Sequence, residues 1–557
     1  LLFGFQTTAP GKIMEGRNMR RVLASLLAGV LLNPAMIGAA SPNYGSYGGT
    51  ATPIKHLVII FQENVSFDHY FGTYPYAQNL PGEHPFHAAQ GTPSINGLGP
   101  ALLTHNPNLN GANLAGATNP FRLAPSQAST ADQDHDYTPE QQAFDGGLMD
   151  LFPLYTGAGG TGAGGTGTPP VFNTSGLVAG YFDGNTVTAY WNYAQHFAMN
   201  DNSYDTNFGP STPGALNVIS GQTNGVADNE NGTGALVDDG IGGWTVNSDA
   251  DPIGDVCSTP TGEKFTMAGK NIGDLLNSKG ISWGFFEGGF DLTVTNANGT
   301  TGCKRTTTSA ITTVTKADYI PHHQPFQYYT STANPTHERP ASVQEIGHSG
   351  PANHQYDTHD FFDAVKAGNF PAVSYLKAPG YQDGHAGYSD PLDEQTFVVG
   401  VINFLQKTEE WNSTAVIIAY DDSDGWYDHQ MSPIVNQSAT AADALNGVGN
   451  CGTGGAATTL PGVNAPTAQG RCGYGPRLPF LVISPYARKN YVDHTTTDQS
   501  SVVRFIEDNW LEGERLGGGS FDAIAGPIQG MFDFSHCRES EGILILDPST
   551  GEPKYSR

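Results

Sequence analysis

The chain is 557 residues long, 38% apolar, and carries a formal charge of −28. Apolar content on that scale supports a large core, in two domains or in one with long insertions, and excludes a disordered chain. So acidic a surface argues against nucleic acid as a partner, because that affinity rests on basic groups displacing counterions, yet a small phosphate ester can still bind a locally positive pocket.

In chain order, the residues before Met14 read as an upstream extension. Residues 19–40 then combine a basic start at Arg20-Arg21, an apolar stretch from Val22 to Leu32 and small residues ending at Ala40, the pattern of an export signal cleaved near Ala40. The stretch is too short to span a bilayer. The arginine pair is compatible with a twin-arginine signal, although its neighbours match that pattern poorly. Loss of 1–40 removes four basic residues and one acidic, leaving a still more acidic exported chain, periplasmic or extracellular. No later segment is a long unbroken apolar run, so no membrane span is expected.

From Leu57 to Phe61 an apolar, β-branched run predicts a buried strand, followed by an irregular excursion from Tyr74 to Ser129. Residues 156–169 hold a TGAGG repeat, which predicts a surface loop. Helices are predicted at Thr186–Phe197, Asn271–Ser278, Thr358–Ala367, Gln395–Thr408 and Ser500–Trp510, and strands at Ile281–Glu287, Ala372–Leu376, Ala415–Tyr420 and Phe480–Ser484. Helix-then-strand alternation predicts an α/β fold, a largely parallel central sheet with helices on both faces. The 71 glycines and 37 prolines place much of the chain in loops, with insertions at about 74–130, 154–180, 245–265, 288–320 and 430–475 of one domain spanning 41–557. Cys257 and Cys303 flank one insertion and Cys451 and Cys472 another, so those pairs are the expected disulfides with Cys537 free, although sequence alone leaves the connectivity open.

Chemistry gathers at two predicted strand ends. The first strand runs into Glu63-Asn64, and the run to Tyr420 leads into Asp421-Asp422. Adjacent carboxylates leaving an apolar strand are costly unless they hold a cation or a dense hydrogen-bond set. Oxygen-only ligands favour one hard divalent ion, calcium, magnesium or manganese, with zinc and iron left open. Ser211 precedes Pro213 at a predicted helix start, where it is either an ordinary N-cap or a nucleophile beside backbone N–H groups that attract a phosphoryl anion. His135, the pair His322-His323 and His385 lie in loop contexts, where imidazolium groups can bind phosphate and protonate a leaving alkoxide.

Four blocks, HLVIIFQENVSFDHYFGTY, AYWNYAQHFAMNDNSYDTNFGPSTPG, AVIIAYDDSDGWYDH and RLPFLVISPYARKNYVDHTTTDQSSVVRFIE, resemble in order the bacterial phosphoesterase family that holds secreted acid phosphatases and phospholipases C, a branch of the alkaline-phosphatase-like superfamily. The resemblance runs from about Lys55 to Trp510. It implies that Glu63, Asn64, Asp421 and Asp422 hold the metal, that Ser211 is both ligand and nucleophile, and that His135, His322, His323 and His385 serve the phosphate and the leaving group. Phospholipase C members usually continue Thr-x-Pro-Asn-Arg and several carry C-terminal β-domains. This chain reads Ser211-Thr212-Pro213-Gly214-Ala215 and shows no such domain, which favours an acid phosphatase working through a phosphoserine. Phospholipid diester cleavage is the alternative. A calcium-stabilised binding protein is a third reading, which leaves Ser211 and the histidines without a purpose.

Overall fold

The computed structural model describes residues 48–157, 171–452, 468–536 and 542–556; the export-signal segment, most of the TGAGG repeat and Cys537 lie outside these. Eight strands form the main sheet: β1 (His56–Gln62), β2 (Ala198–Asn200), β3 (Trp283–Glu287), β4 (Gln355–Asp357), β5 (Val373–Lys377), β6 (Thr414–Tyr420), β7 (Phe480–Ile483) and β8 (Tyr491–Asp493), in the order β4-β3-β5-β1-β6-β7-β2-β8. β4, β3, β5, β1 and β6 are mutually parallel, and β7 alone runs against its neighbours, so the sheet is largely parallel. β1 and β6 read as continuous apolar runs because both their faces are covered.

The helices that matter here are α1 (Thr188–His196), α2 (Ser211–Ser220), α3 (Ile272–Lys279), α4 (Thr358–Lys366), α5 (Pro391–Leu405) and α6 (Ser500–Trp510), among others. α2 packs on α3 and α6, whereas α1 packs on α5. Alternation along β3 shows the two faces: Phe285 turns with Tyr375 toward Phe326 and the α2 side, and Phe286 turns to Phe361 of α4.

One boundary and three short strands differ from expectation for local reasons. α5 begins at Pro391 rather than Gln395, because Asp390 caps it, accepting from the N–H groups of Leu392 and Asp393, and Pro391 suits the first helical position. Strands β2, β4 and β8 have three residues each, too few to show a period of two. Both expected disulfides form, Cys257–Cys303 and Cys451–Cys472, with Cα atoms 5.1 and 5.9 Å apart. Among the described residues no helix is long and apolar enough to cross a membrane.

The core also holds a proton-linked group. His69 is buried, stacked on Trp426 at 3.9 Å, with Nδ1–H donating to Gly180 O. Burial lowers its pKa from 6.5 to about 3, with the Gly180 bond acting weakly against it. The unfolded chain therefore binds a proton that the folded one refuses, so this contribution to stability is present above pH 6.5 and is lost as pH falls toward 3. Urea titrations of wild type and His69→Gln should diverge by up to about 1.4 kcal/mol per pH unit in that window. Parallel curves would contradict the assignment.

Candidate active site

The parallel strands end at one edge of the sheet. The register sets Asp357 beside Glu287, Glu287 beside Lys377, and Gln62 beside Tyr420, so the next residues, Glu63 and Asp421, leave the sheet side by side. Crevices beyond such carboxyl ends are where open α/β sheets hold ligands. Glu63, Asn64, Asp421 and Asp422 are all fully buried there.

Helix α2 brings Ser211 to the same edge. Its hydroxyl lies 3.1 Å from Glu63 Oε2 and 3.1 Å from Asp422 Oδ2, within donor range of both. The approach depends on Gly214, where a Cβ would stand 2.0 Å from the Asp421 carbonyl oxygen. In this chain, packing against the end of β6 therefore fixes residue 214. The helix ends at Gly221, whose φ of 57° suits glycine. One expectation needs correction. The N–H of Thr212, beside Ser211, already donates to Asp249 Oδ1 at 2.8 Å, so this donor is not free for a phosphoryl anion.

The histidines divide into two pairs. His135 Nε2 stands 3.4 Å from Asn64 Nδ2, and Nδ1 3.4 Å from Asp424 Oδ1. Burial opposes its charge, but Asp422, Asp132 and Asp249 outweigh burial and raise its pKa to about 10. His322 Nδ1 lies 3.5 Å from Asp251 Oδ1; burial again opposes, and Asp251 and Asp249 raise its pKa. His323 Nδ1 lies 3.2 Å from Glu63 Oε1, but burial, with repulsion from Lys377 and His322, holds it well below the usual range despite Glu63. His385 is also lowered by burial, against the field of Asp132. The four histidines expected to serve the phosphate when partly cationic are thus two that favour a proton and two that resist one.

Sequence reasoning missed Lys377. Its buried ammonium contacts Glu63 Oε1 and lies 3.8 Å from Asp421 Oδ2. Burial works against its charge, and the two carboxylates hold it protonated. The signal was present, since Lys377 directly follows the predicted run Ala372–Leu376 and occupies a third strand end.

Glu63, Asp421 and Asp422 supply three buried carboxylates against the single ammonium of Lys377. With His135 protonated beside Asp422 the cluster still carries net negative charge, which a cation would complement. Asn64 Oδ1 and Asp421 Oδ2 are buried without a hydrogen-bond donor. Burial, with Glu63 adding repulsion, raises Asp421, and burial against the pull of His135 raises Asp422 to about 7, as in carboxylates assembled for a counter-ion. The residues fit a cation, and an all-oxygen donor set suits a hard one.

Ser211 at the helix start faces a buried acid cluster at strand ends, an arrangement in which a cation held by those acids would lower the pKa of the hydroxyl. The model of the Phosphoesterase family matches residues 54–511, and the chain belongs to that family. It is 24% identical over 497 residues to the non-hemolytic phospholipase C of Pseudomonas aeruginosa, covering 88% of this chain and 58% of that one. It is 25% identical over 476 residues to phospholipase C A of Mycobacterium tuberculosis, covering 83% and 74%. The chain thus spans less than two thirds of the Pseudomonas protein. Among solved structures, murine ectonucleotide pyrophosphatase/phosphodiesterase 5 aligns at a TM-score of 0.29 and 11% identity over 62% of this chain and 95% of that one, too slight a likeness to decide anything about this chain.

Proposed function

We propose that this chain is an exported phosphodiesterase of the phospholipase C kind, with Ser211 as its nucleophile. The observation that carries the choice of ester is the acidic rim around Ser211. Asp249 sits on the N–H beside it, Asp251 faces His322, and Asp134 and Asp136 flank His135. Such a rim repels the second charge of a phosphate monoester, tolerates the single charge of a diester, and attracts an ammonium head group. The names of the relatives point the same way. Gly214, which favoured a monoester on sequence, carries less weight because packing fixes it.

Ser211 Oγ attacks phosphorus in line, forming the Oγ–P bond as the P–O bond to the leaving alcohol breaks, with its proton passing to a carboxylate already 3.1 Å away. His322, partly open to solvent, protonates the departing alkoxide, and His135 offers positive charge to the equatorial oxygens. His323 stays neutral and orients Glu63, and His385 lines the pocket beside His135. Water then cleaves the Oγ–P bond from the vacated side. A divalent cation held by Glu63, Asn64, Asp421 and Asp422, with Ser211, would lower the pKa of the serine hydroxyl and neutralise charge on the phosphoryl oxygens. Two disulfides fit an oxidising compartment and support export, with 41–557 kept as one phosphoesterase domain.

Assay of one purified sample on p-nitrophenyl phosphate and p-nitrophenyl phosphorylcholine tests the choice. The expected kcat/KM favours the choline ester by at least about tenfold. Preference for the monoester would return the reading to an acid phosphatase.

A further inference from the structure

The excursion from Tyr74 to Ser129 has a surface unlike the rest of the chain. Its only charged side chains are Glu83 and Arg122, in a protein of formal charge −28. Those two cancel, because the Arg122 guanidinium bonds both Glu83 oxygens, at 3.0 and 2.7 Å, and holds Asp183 as well. Large apolar side chains stand in water on the same stretch: Tyr76 is 80% exposed, Leu114 79%, Leu80 48% and Leu109 46%. Single exposed apolar residues are ordinary, but several on one charge-poor segment mark a surface that meets another apolar phase.

The display is held in place. Asn113, next to Leu114, is buried, donates to the carbonyls of Asn108 and Asp150, and accepts from the N–H of Leu154. Leu114 itself stands at φ 51°, a left-handed conformation that a residue with a Cβ adopts only under restraint. The excursion also lines most of a cavity of about 500 Å³, through Tyr74, Tyr76, Ile95, Leu98, Pro100 and Leu103. Tyr76 is both a wall of this cavity and one of the most exposed side chains, so the cavity opens onto the apolar surface. Asn106 ties the excursion to the loop that carries Asp421 and Asp422, its amide donating to the Tyr427 hydroxyl at 3.1 Å.

We propose that this excursion is the face by which the protein docks on a zwitterionic phospholipid surface, with Tyr76, Leu80, Leu109 and Leu114 entering the interface and the cavity taking an apolar tail. Charge selects the surface. An anionic bilayer repels so acidic a chain, and the excursion has no basic cluster to offset that, so docking rests on apolar insertion where the head groups carry no net charge. A tyrosine beside leucines suits the head-group level, with its ring in the apolar layer and its hydroxyl in water. The inference rests on the diester reading only for what the docked surface supplies to Ser211; docking itself needs no turnover.

The test is co-sedimentation of the full chain, as Ser211→Ala, with phosphatidylcholine vesicles. The chain is expected to bind them, and replacing 30% of the lipid by phosphatidylglycerol at low salt should weaken binding, with about 30% chosen to give a clearly anionic surface. Serine at all four of Tyr76, Leu80, Leu109 and Leu114 should weaken it by at least about 100-fold. Ile241→Ser, which removes a side chain 50% exposed outside the excursion, should leave it unchanged. With Ser211 intact, the fourfold variant should keep its kcat/KM on soluble p-nitrophenyl phosphorylcholine, so a failure of the diester reading shows in that assay and a failure of docking in the vesicles. Vesicle binding equal in the fourfold variant and its parent would overturn the proposal, as would a parent that ignores the vesicles or one that is a dimer dissociated by the four changes.

Discussion

Replacing Ser211 by alanine is expected to lower kcat on p-nitrophenyl phosphorylcholine by at least about 10⁴-fold, because in the proposed mechanism its hydroxyl is the attacking group and no other serine or threonine oxygen bonds both Glu63 and Asp422 among the described residues. The fold should survive. The change removes one buried hydroxyl whose partners are carboxylates that repel each other, so urea midpoints should move little and cation binding should persist through the carboxylates. Steady-state kinetics on a sample freed of wild-type contamination, alongside a denaturation curve, makes the check. Activity within tenfold of wild type would remove Ser211 from the mechanism.

The second large effect concerns stability. Lys377→Met is expected to destabilise the cation-free protein by roughly 3–5 kcal/mol, because it leaves Glu63 and Asp421 buried without the ammonium that lies between them. A saturating divalent cation should restore much of that loss, since an ion that binds only the folded state stabilises it in proportion to its occupancy. Equilibrium urea unfolding with chelator and with added cation separates the two contributions. Equal stability of wild type and variant in chelator would show that the three carboxylates are not charged together, and the case for a counter-ion would weaken with it.

Residue pattern made the middle of the sheet legible. β1, β3, β5 and β6 announce themselves because each is buried on both faces and needs an apolar run bounded by a change of composition. The same rule pointed to the candidate site, since Glu63-Asn64 follow the first run just after Gln62 and Asp421-Asp422 follow the second directly. Lys377 obeys the rule at a third strand end but is a single residue in an Ala-Pro-Gly context, with nothing local to mark it as an acid's partner. Asp249 and Asp424 were out of reach for another reason. Asp249 matters through Thr212, 37 residues away, and Asp424 through His135, in contacts that only the packing of long loops creates. The four histidines were found as residues, while their division into two pairs followed from burial and from which carboxylate each meets.

The proposed reaction stands on covalent attack by one oxygen, and the most direct measurement looks for that bond. Enzyme mixed with p-nitrophenyl phosphorylcholine, quenched in acid within a turnover, digested and examined by mass spectrometry should carry a phosphorylcholine group on Ser211, with release of one p-nitrophenol per enzyme. An unmodified Ser211 in enzyme quenched during active turnover, together with direct transfer to water shown by inversion at a chiral phosphorus, would contradict it.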